Sequence, residues 1–243
     1  MNNRVRFDPT QLFLSFLVTS PMDVLRSVNR ICSRKLGRIA EYIASHKVRK
    51  LQVGAGGHYL DGWLNTDLDP RGPRFVFMDA ASRFPIPDAS FDYIFHEHVI
   101  EHLSHADGRR MLDECRRILK PGGRIRIATP NLTTLVNLFT PNHSTMQLRY
   151  MQWVTRSFLP NAPSVHPCFV INNAFRNWNH QFLYDAETLA QLLTSAGFDQ
   201  INWRSPNQSD DPALTNIDSP ARRGEDREMH HFESMIVEAV ASE

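Results

Sequence analysis

The chain has 243 residues, 42% of them hydrophobic and 22% charged, enough for one sizeable core with an extension or insertion. Its 27 lysines and arginines stand against 26 acidic residues, a formal net charge of +1, which argues against a polyanion-binding protein and so against a nucleic-acid partner. The three cysteines, Cys32, Cys115 and Cys168, are odd in number and form no CxxC pair, so no disulfide framework is expected and a reducing cytosol is the simplest setting.

At the N-terminus, Arg4 and Arg6 precede the apolar run Leu12 to Val18. The run is too short to span a bilayer and no small-x-small cleavage site follows, so a folded segment without stable membrane insertion is expected. A helix should follow, with Ser20 as N-cap, Pro21 at the first helical position and Asp23 in the first turn. Val24, Val28, Ile31, Cys32, Leu36, Ile39 and Ile43 make its apolar stripe. Arg26, Arg30, Arg34, Lys35 and Arg38 cover the rest; such a face could meet anionic membrane or RNA, but packing of the stripe on the core is the simpler expectation.

From residue 49 strands and helices alternate. Strands are expected at Lys50 to Val53, Trp63 to Thr66, Arg74 to Met78, Phe91 to Phe95 and Arg124 to Ala128, with a helix from Ala106 to Leu119 that Pro121-Gly-Gly123 ends. Asp185 should cap a helix from Ala186 to Ala196, and Ile201 to Arg204 and Phe232 to Ala239 should be the last strands. This order predicts an α/β fold with a mostly parallel sheet covered on both faces. Residues 131–180 interrupt the pattern with aromatic and polar groups. That mixture suits a binding lid, with Asn131, Tyr150, Trp153, Arg176 and Trp178 facing a substrate, or else a helical insertion with a small aromatic core. Pro206 to Glu228 is expected to be a long charged loop.

The densest signal is Leu51-Gln-Val-Gly-Ala-Gly-Gly57, a buried strand ending in glycines. Without a Cβ the backbone can approach a ligand, and Asp67 at the tip of the next strand can accept from a ribose diol. A dinucleotide GxGxxG would need glycine at Tyr59 and an acidic residue about 20 positions on, whereas Asp67 lies 13 after Gly54. The crossover Gly57 to Gly62 is too short for a full helix, so a turn should replace it, with Trp63 near the ligand. Phe84-Pro-Ile-Pro-Asp-Ala-Ser-Phe-Asp-Tyr-Ile-Phe95 is similar to an LPFPDxSFDxI stretch, and Leu119-Lys-Pro-Gly-Gly-Arg-Ile-Arg-Ile-Ala-Thr-Pro130 to a vLkPGGxhhhxxP stretch. With the Tyr-x-x-Glu-Thr-Leu helix ending in Ala-Gly-Phe198, these segments resemble the class I S-adenosylmethionine-dependent methyltransferases, in their type 11-like bacterial branch.

The resemblance implies a Rossmann-like seven-stranded, mostly parallel sheet in a single domain. Residues 1–46 would be an N-terminal helical extension, 47–130 the cofactor-binding core, 131–180 a substrate lid and 181–243 the rest of the core. It implies S-adenosylmethionine as cofactor. Gly54, Ala55 and Gly56 would contact its methionine portion, and Asp67, with Leu68 beside it, its ribose. Asp79 and Ala80 would take the adenine, unless Asp79 only caps a strand end. Phe84 would pack on adenine or fill core. His96 and Glu97, after the fourth strand, would lie beside the methionine portion and the reacting methyl.

His98, Glu101 and His102 would share one face of a helix, a pattern similar to the ExxEH metal site of magnesium-dependent ubiquinone and small-RNA methyltransferases. His98 replaces an oxygen ligand there and no fourth ligand is assignable, so no metal is expected. For a hydroxyl acceptor a base is needed; His180, where the chain returns from the insertion, is the first choice and His96 the second, unless water takes the proton. The expected function is methyl transfer to a small molecule, with O-methylation of a sugar-like acceptor foremost. A methyltransferase fold that binds without turnover and an RNA methyltransferase are the alternatives. A homodimer is left open.

Overall fold

The computed structural model describes residues 35–219 and 222–243. The apolar run at 12–18, and the part of the expected helix before residue 35, lie outside the described residues. From residue 35 the expected helix is present, and residues 35–45 are helical (α1). Ile39 of its stripe is buried in the main core, Ile43 packs against that core, and Tyr42, which the stripe did not include, is buried there too.

Seven strands follow: β1 (Lys50–Val53), β2 (Leu64–Asp67), β3 (Val76–Phe77), β4 (Phe91–Glu97), β5 (Leu119–Pro130), β6 (Phe198–Arg204) and β7 (Ser234–Ala241). They form one sheet in the order β3-β2-β1-β4-β5-β7-β6. All pairs are parallel except those of β7, which runs antiparallel to β5 and β6. Between β4 and β5 lies α2 (His105–Ile118), capped by Ser104, and before β6 lies α6 (Ala186–Ser195), capped by Asp185 in a reciprocal bond with Thr188. The inserted segment forms α3 (Leu132–Val136), α4 (Thr145–Phe158) and α5 (Pro167–Arg176), and α7 (Gly224–Glu233) leads into β7.

The side chains alternate across the sheet as a period of two requires. Ile94, Ile125, Ile127, Val237 and Ala239 point into the main core with Met111, Leu112 and Cys115 of α2 and Leu189, Leu192 and Leu193 of α6. The opposite face carries Tyr93, Phe95, Glu97, Arg124, Arg126 and Glu238. The crossovers at 54–63 and 68–75 contain no helix, the first as its short glycine-to-strand spacing predicted, so no crossover helix covers this face. The chain after β6 returns over it instead. Leu214 and Ile217 pack with Leu60, Trp63 and Phe95. Arg126 bonds both oxygens of Asp218, Tyr93 bonds Asp211, and Ser219 bonds Glu97.

Two expectations need correction. Pro121-Gly-Gly123 does not end the helix; α2 already stops at Ile118 and β5 starts at once, with Leu119 paired to Phe91. The last helical carbonyls, of Arg117 and Ile118, are taken by the backbone N–H groups of Ala89 and Ser90, which turns the chain directly into the sheet. Proline and glycine then make an irregularity within the strand, where Gly122 has φ +75° and a Cβ on Gly123 would stand 2.9 Å from the Lys120 carbonyl. The segment 206–228 is not one long loop. Its first part is the strap just described, and its end belongs to α7, which has Glu225 and Asp226 in the first turn and His230 and His231 in the last, the charge order a helix dipole favours.

Candidate active site

The glycine loop is shaped by contacts within the protein. Gly54 and Gly56 have φ of +64° and +61°, conformations that side chains with a Cβ rarely adopt. A Cβ on Gly54 would come within 2.4 Å of Val99 Cγ2, while at Gly56 the nearest atom would be 3.9 Å away, leaving its face open. The Ala55 N–H donates to the Thr66 carbonyl at 2.8 Å, and the Gly56 N–H donates to Asp67 Oδ2 at 2.6 Å. Asp67 Oδ1 accepts from the Asp69 N–H at 2.7 Å. Each carboxylate oxygen keeps one lone pair for a further donor. Leu68, beside it, is exposed.

Asp79 is engaged as a cap: its oxygens accept from the Ala81 N–H at 2.9 Å and the Ser82 hydroxyl at 2.7 Å. Ala80, next to it, is half-buried and packs against the main core. Phe84 is 1% exposed and lies in that core rather than on an open surface. The proline-rich loop around it is held from α2. Glu114 accepts from the Phe84 N–H at 2.8 Å, and Arg117 donates to the carbonyls of Phe84 and Ile86 at 3.0 and 2.8 Å. The FPIPD stretch is thus clamped to α2.

Beyond β4, His98 takes a left-handed backbone conformation (φ +52°) and Ile100–His102 form one 3-10 turn. This is not the helix expected from the spacing, yet His98 Nδ1 still meets Glu101 Oε1 at 3.0 Å. Burial alone would lower the His98 imidazole, but the hydrogen bond and charge of Glu101, with Glu233 and Glu97 adding, raise it to about 9. Burial would likewise raise Glu101, and His98 reverses it, to about 2. Glu101 is fully buried and its Oε2 accepts from the Thr129 hydroxyl at 3.0 Å.

Past this turn opens a cavity of about 310 Å³ lined by His98, His102, Trp153, Phe158, Trp178, His180, Arg222, His230 and Glu233, among others. It stands outside the carboxyl ends of β4 and β5, where ligands bind in open α/β sheets. Val99, which packs on Gly54, ties its wall to the glycine loop. His180 Nδ1 lies 2.6 Å from the Ala174 carbonyl. A carbonyl only accepts, so Nδ1 carries the proton and Nε2 keeps its lone pair. Burial lowers this imidazole below its ordinary value, against an opposing pull from Glu101.

The expected site residues divide accordingly. Trp153, Trp178 and His180 come together on the cavity wall. His96 does not: it is wholly buried, both ring nitrogens lack a partner, and burial pushes its pKa down to about 4. Strand alternation turns its side chain into the core, so it has no path to an acceptor. Glu97 is occupied by Ser219, whose N–H and hydroxyl bond it at 2.8 and 2.9 Å. Tyr150 is 2% exposed, packs in the insertion's own core with Val154 and Ile171, and donates to Glu233 Oε2 at 2.5 Å. Asn131 caps α3 through the Thr133 N–H, and Arg176 is exposed and off the cavity wall. Arg222, His230 and Glu233 are not among the expected site residues: the sequence places Arg222 in the charged loop 206–228 and Glu233 in a strand from Phe232, with His230 between the two, whereas the last two lie in α7. The signal was its acidic first turn and histidine-bearing last turn.

A family model described as a methyltransferase domain matches residues 51–127. A probable S-adenosylmethionine-dependent methyltransferase of Mycobacterium tuberculosis is 40% identical over 76 residues, 31% of this chain and 26% of that protein. The ubiquinone/menaquinone biosynthesis C-methyltransferase UbiE of Bordetella avium is 22% identical over 132 residues, 51% of this chain and 43% of that protein. The chain thus spans 26% to 43% of the length of these two relatives. A SAM-dependent methyltransferase structure from Archaeoglobus fulgidus aligns with a TM-score of 0.49 at 18% identity, covering 96% of this chain and 100% of that one.

Proposed function

We propose that this chain, which belongs to the class I S-adenosylmethionine-dependent methyltransferases, transfers a methyl group to a hydroxyl of a small molecule held in the histidine-lined cavity. The bound cofactor supplies an electrophilic methyl carried on a sulfonium. The chain's residues fit that cofactor: the Gly56 face is open, and Asp67 keeps a free lone pair on each oxygen. In this reading Gly54, Ala55 and Gly56 approach the methionine portion, Asp67 accepts from the ribose hydroxyls, and Ala80 offers its N–H to the adenine.

The protein's task is then to align the acceptor, exclude water and remove one proton. The observation that carries the reading is His180, on the cavity wall with Nδ1 committed to a carbonyl and Nε2 free. Its depressed basicity keeps it neutral near pH 7, as a base must be. Trp153, Phe158 and Trp178 give the cavity aromatic walls, and His98, His102 and Arg222 give it polar groups. That mixture suits a ring compound with an apolar face and several hydroxyls, as in a sugar-like acceptor. Helices α4 and α5 act as the lid.

The test is mass spectrometry of acceptor mixtures incubated with labelled S-adenosylmethionine. Once an acceptor is found, His180→Ala should lower turnover by roughly 10²–10⁴-fold with unchanged S-adenosylhomocysteine affinity. Near-normal turnover would remove His180 from the base role.

A further inference from the structure

We infer that His98, His230 and Glu233 form a binding site for one divalent transition-metal ion on the cavity wall. One ligand atom from each lies within 4.8 Å of the other two. They come from the turn after β4 and the last turn of α7, two segments brought together only by the fold. The sequence leads to no metal because His98 replaces an oxygen ligand and no fourth ligand is assignable; the fold brings His230 and Glu233 to it from α7.

A salt bridge would need only His230 and Glu233, which meet at 2.9 Å through Nδ1 and Oε1. His98 adds a third ligand atom within 4.8 Å of both, its ring edge-on to His230 at 5.3 Å, and that convergence is what a metal site explains. Two ligand atoms each about 2.0–2.1 Å from an ion, at a right angle, stand close to the separation of His230 and Glu233. The surrounding contacts also match what ligands need. A metal-binding imidazole usually gives its other ring nitrogen to a carboxylate, and His98 Nδ1 is held by buried Glu101 at 3.0 Å. His98 Nε2 is engaged only by the Ser234 hydroxyl at 3.2 Å, a rotatable group that ligation would displace. The Tyr150 hydroxyl donates to Glu233 Oε2 and leaves Oε1 for the ion.

Two imidazoles and one carboxylate suit Mn²⁺, Fe²⁺, Co²⁺ or Zn²⁺ and not Mg²⁺ or Ca²⁺, which favour oxygen. All three residues line the cavity, so the remaining coordination positions face the acceptor space. Resting on the methyltransferase reading, such an ion would hold the acceptor oxygen and ease loss of its proton. Glu101, His102 and His180 form a second group with the same spacing. There Glu101 already serves His98 and Thr129, and His180 has a role as base, so the first group is the stronger candidate.

The test uses the full chain after treatment with a chelator. Titration calorimetry with Zn²⁺ and Mn²⁺, and the visible absorption of added Co²⁺, should show saturable binding of a single ion. His230→Ala and Glu233→Gln should each weaken it by roughly 100-fold or more, and His102→Ala should leave it within about 3-fold. S-adenosylhomocysteine binding is measured on every sample. It reports that each variant is folded, and its failure in the unaltered chain would defeat the cofactor reading rather than the metal site. No saturable ion binding, or binding abolished by His102→Ala and indifferent to His230→Ala, overturns the inference.

Discussion

Replacing Arg126 by methionine should be among the most damaging single changes in this protein. The guanidinium is fully buried on the sheet face that lacks crossover helices. It gives two bonds to Asp218, at 2.8 and 2.5 Å, one to Glu238 and one to the Gln208 carbonyl at 3.0 Å. Methionine fills similar space but leaves Asp218 with only the Asn207 N–H at 2.6 Å, and Glu238 with Arg204 at 3.1 Å. Breaking a buried pair by removing one partner costs about 3–5 kcal/mol, because a charge stays buried without compensation. For a chain of this size that lowers the melting temperature by roughly 6–20 °C. Urea denaturation should show a lower midpoint with an unchanged slope. The variant Arg126→Met with Asp218→Leu and Glu238→Leu should recover most of the loss, since a packed apolar set avoids the desolvation cost altogether. A loss under about 1 kcal/mol for the single variant would refute the argument that this network pins the strap.

Gly54→Ala should destabilise by about 2–5 kcal/mol, from the left-handed backbone and the clash with Val99 together. Adding Val99→Ala should recover only the clash part, and full recovery by denaturant titration would show that the backbone conformation carries no cost. Asp67→Ala should weaken S-adenosylhomocysteine by about 1.5–3 kcal/mol in calorimetry if it accepts as a charged partner, and unchanged affinity would move the ribose role elsewhere. The hydrogen bond from Arg117 holds Glu114 below its ordinary value of 4.5, against a smaller opposing effect of burial. Its contribution is therefore present above pH 4.5 and lost as pH falls further, so Glu114→Gln should flatten the acid limb of a stability-against-pH curve. An unaltered limb would show that the clamp adds nothing.

The sheet was legible because its strands obey local rules. Lys50 to Val53, Phe91 to Phe95 and Arg124 to Ala128 are short segments with apolar residues at alternate positions, bounded by turn residues, and helices α2 and α6 have their capping residues next to them in the chain. The glycine turn was legible for the same reason: Gly54, Gly56 and Asp67 belong to one short strand-turn-strand unit. What could not be read was the partner of each charged residue. Arg126 reads as an ordinary polar member of an alternating strand, and nothing local says that Asp218 will meet it. His96 illustrates the converse error. Its position after a strand suggested chemistry, but strand alternation turns it into the core, whereas His98, two residues on, escapes the strand through a left-handed turn.

The missing crossover helices link these observations. Without a helix at 54–63 or 68–75, one sheet face is covered by the strap instead, and beside Tyr93 and Phe95 it carries Arg124, Arg126, Glu97 and Glu238. A polar face needs a polar cover, which the strap supplies with Asp211, Asp218 and Ser219. The strap leads into Arg222 and then α7, and so brings His230 and Glu233 to the cavity. Met229 and Phe232 of α7 join the insertion's core, so the same helix fastens the insertion to the sheet. The cavity therefore depends on cover at a distance. Weakening Arg126 should loosen α7 and the cavity wall more than the glycine loop, which is tied to β2 by its own backbone bonds. Hydrogen exchange on the Arg126→Met variant should show faster exchange in 206–233 with protection of β1 and β2 retained, and equal loss in both regions would mean that strap and core unfold as one unit.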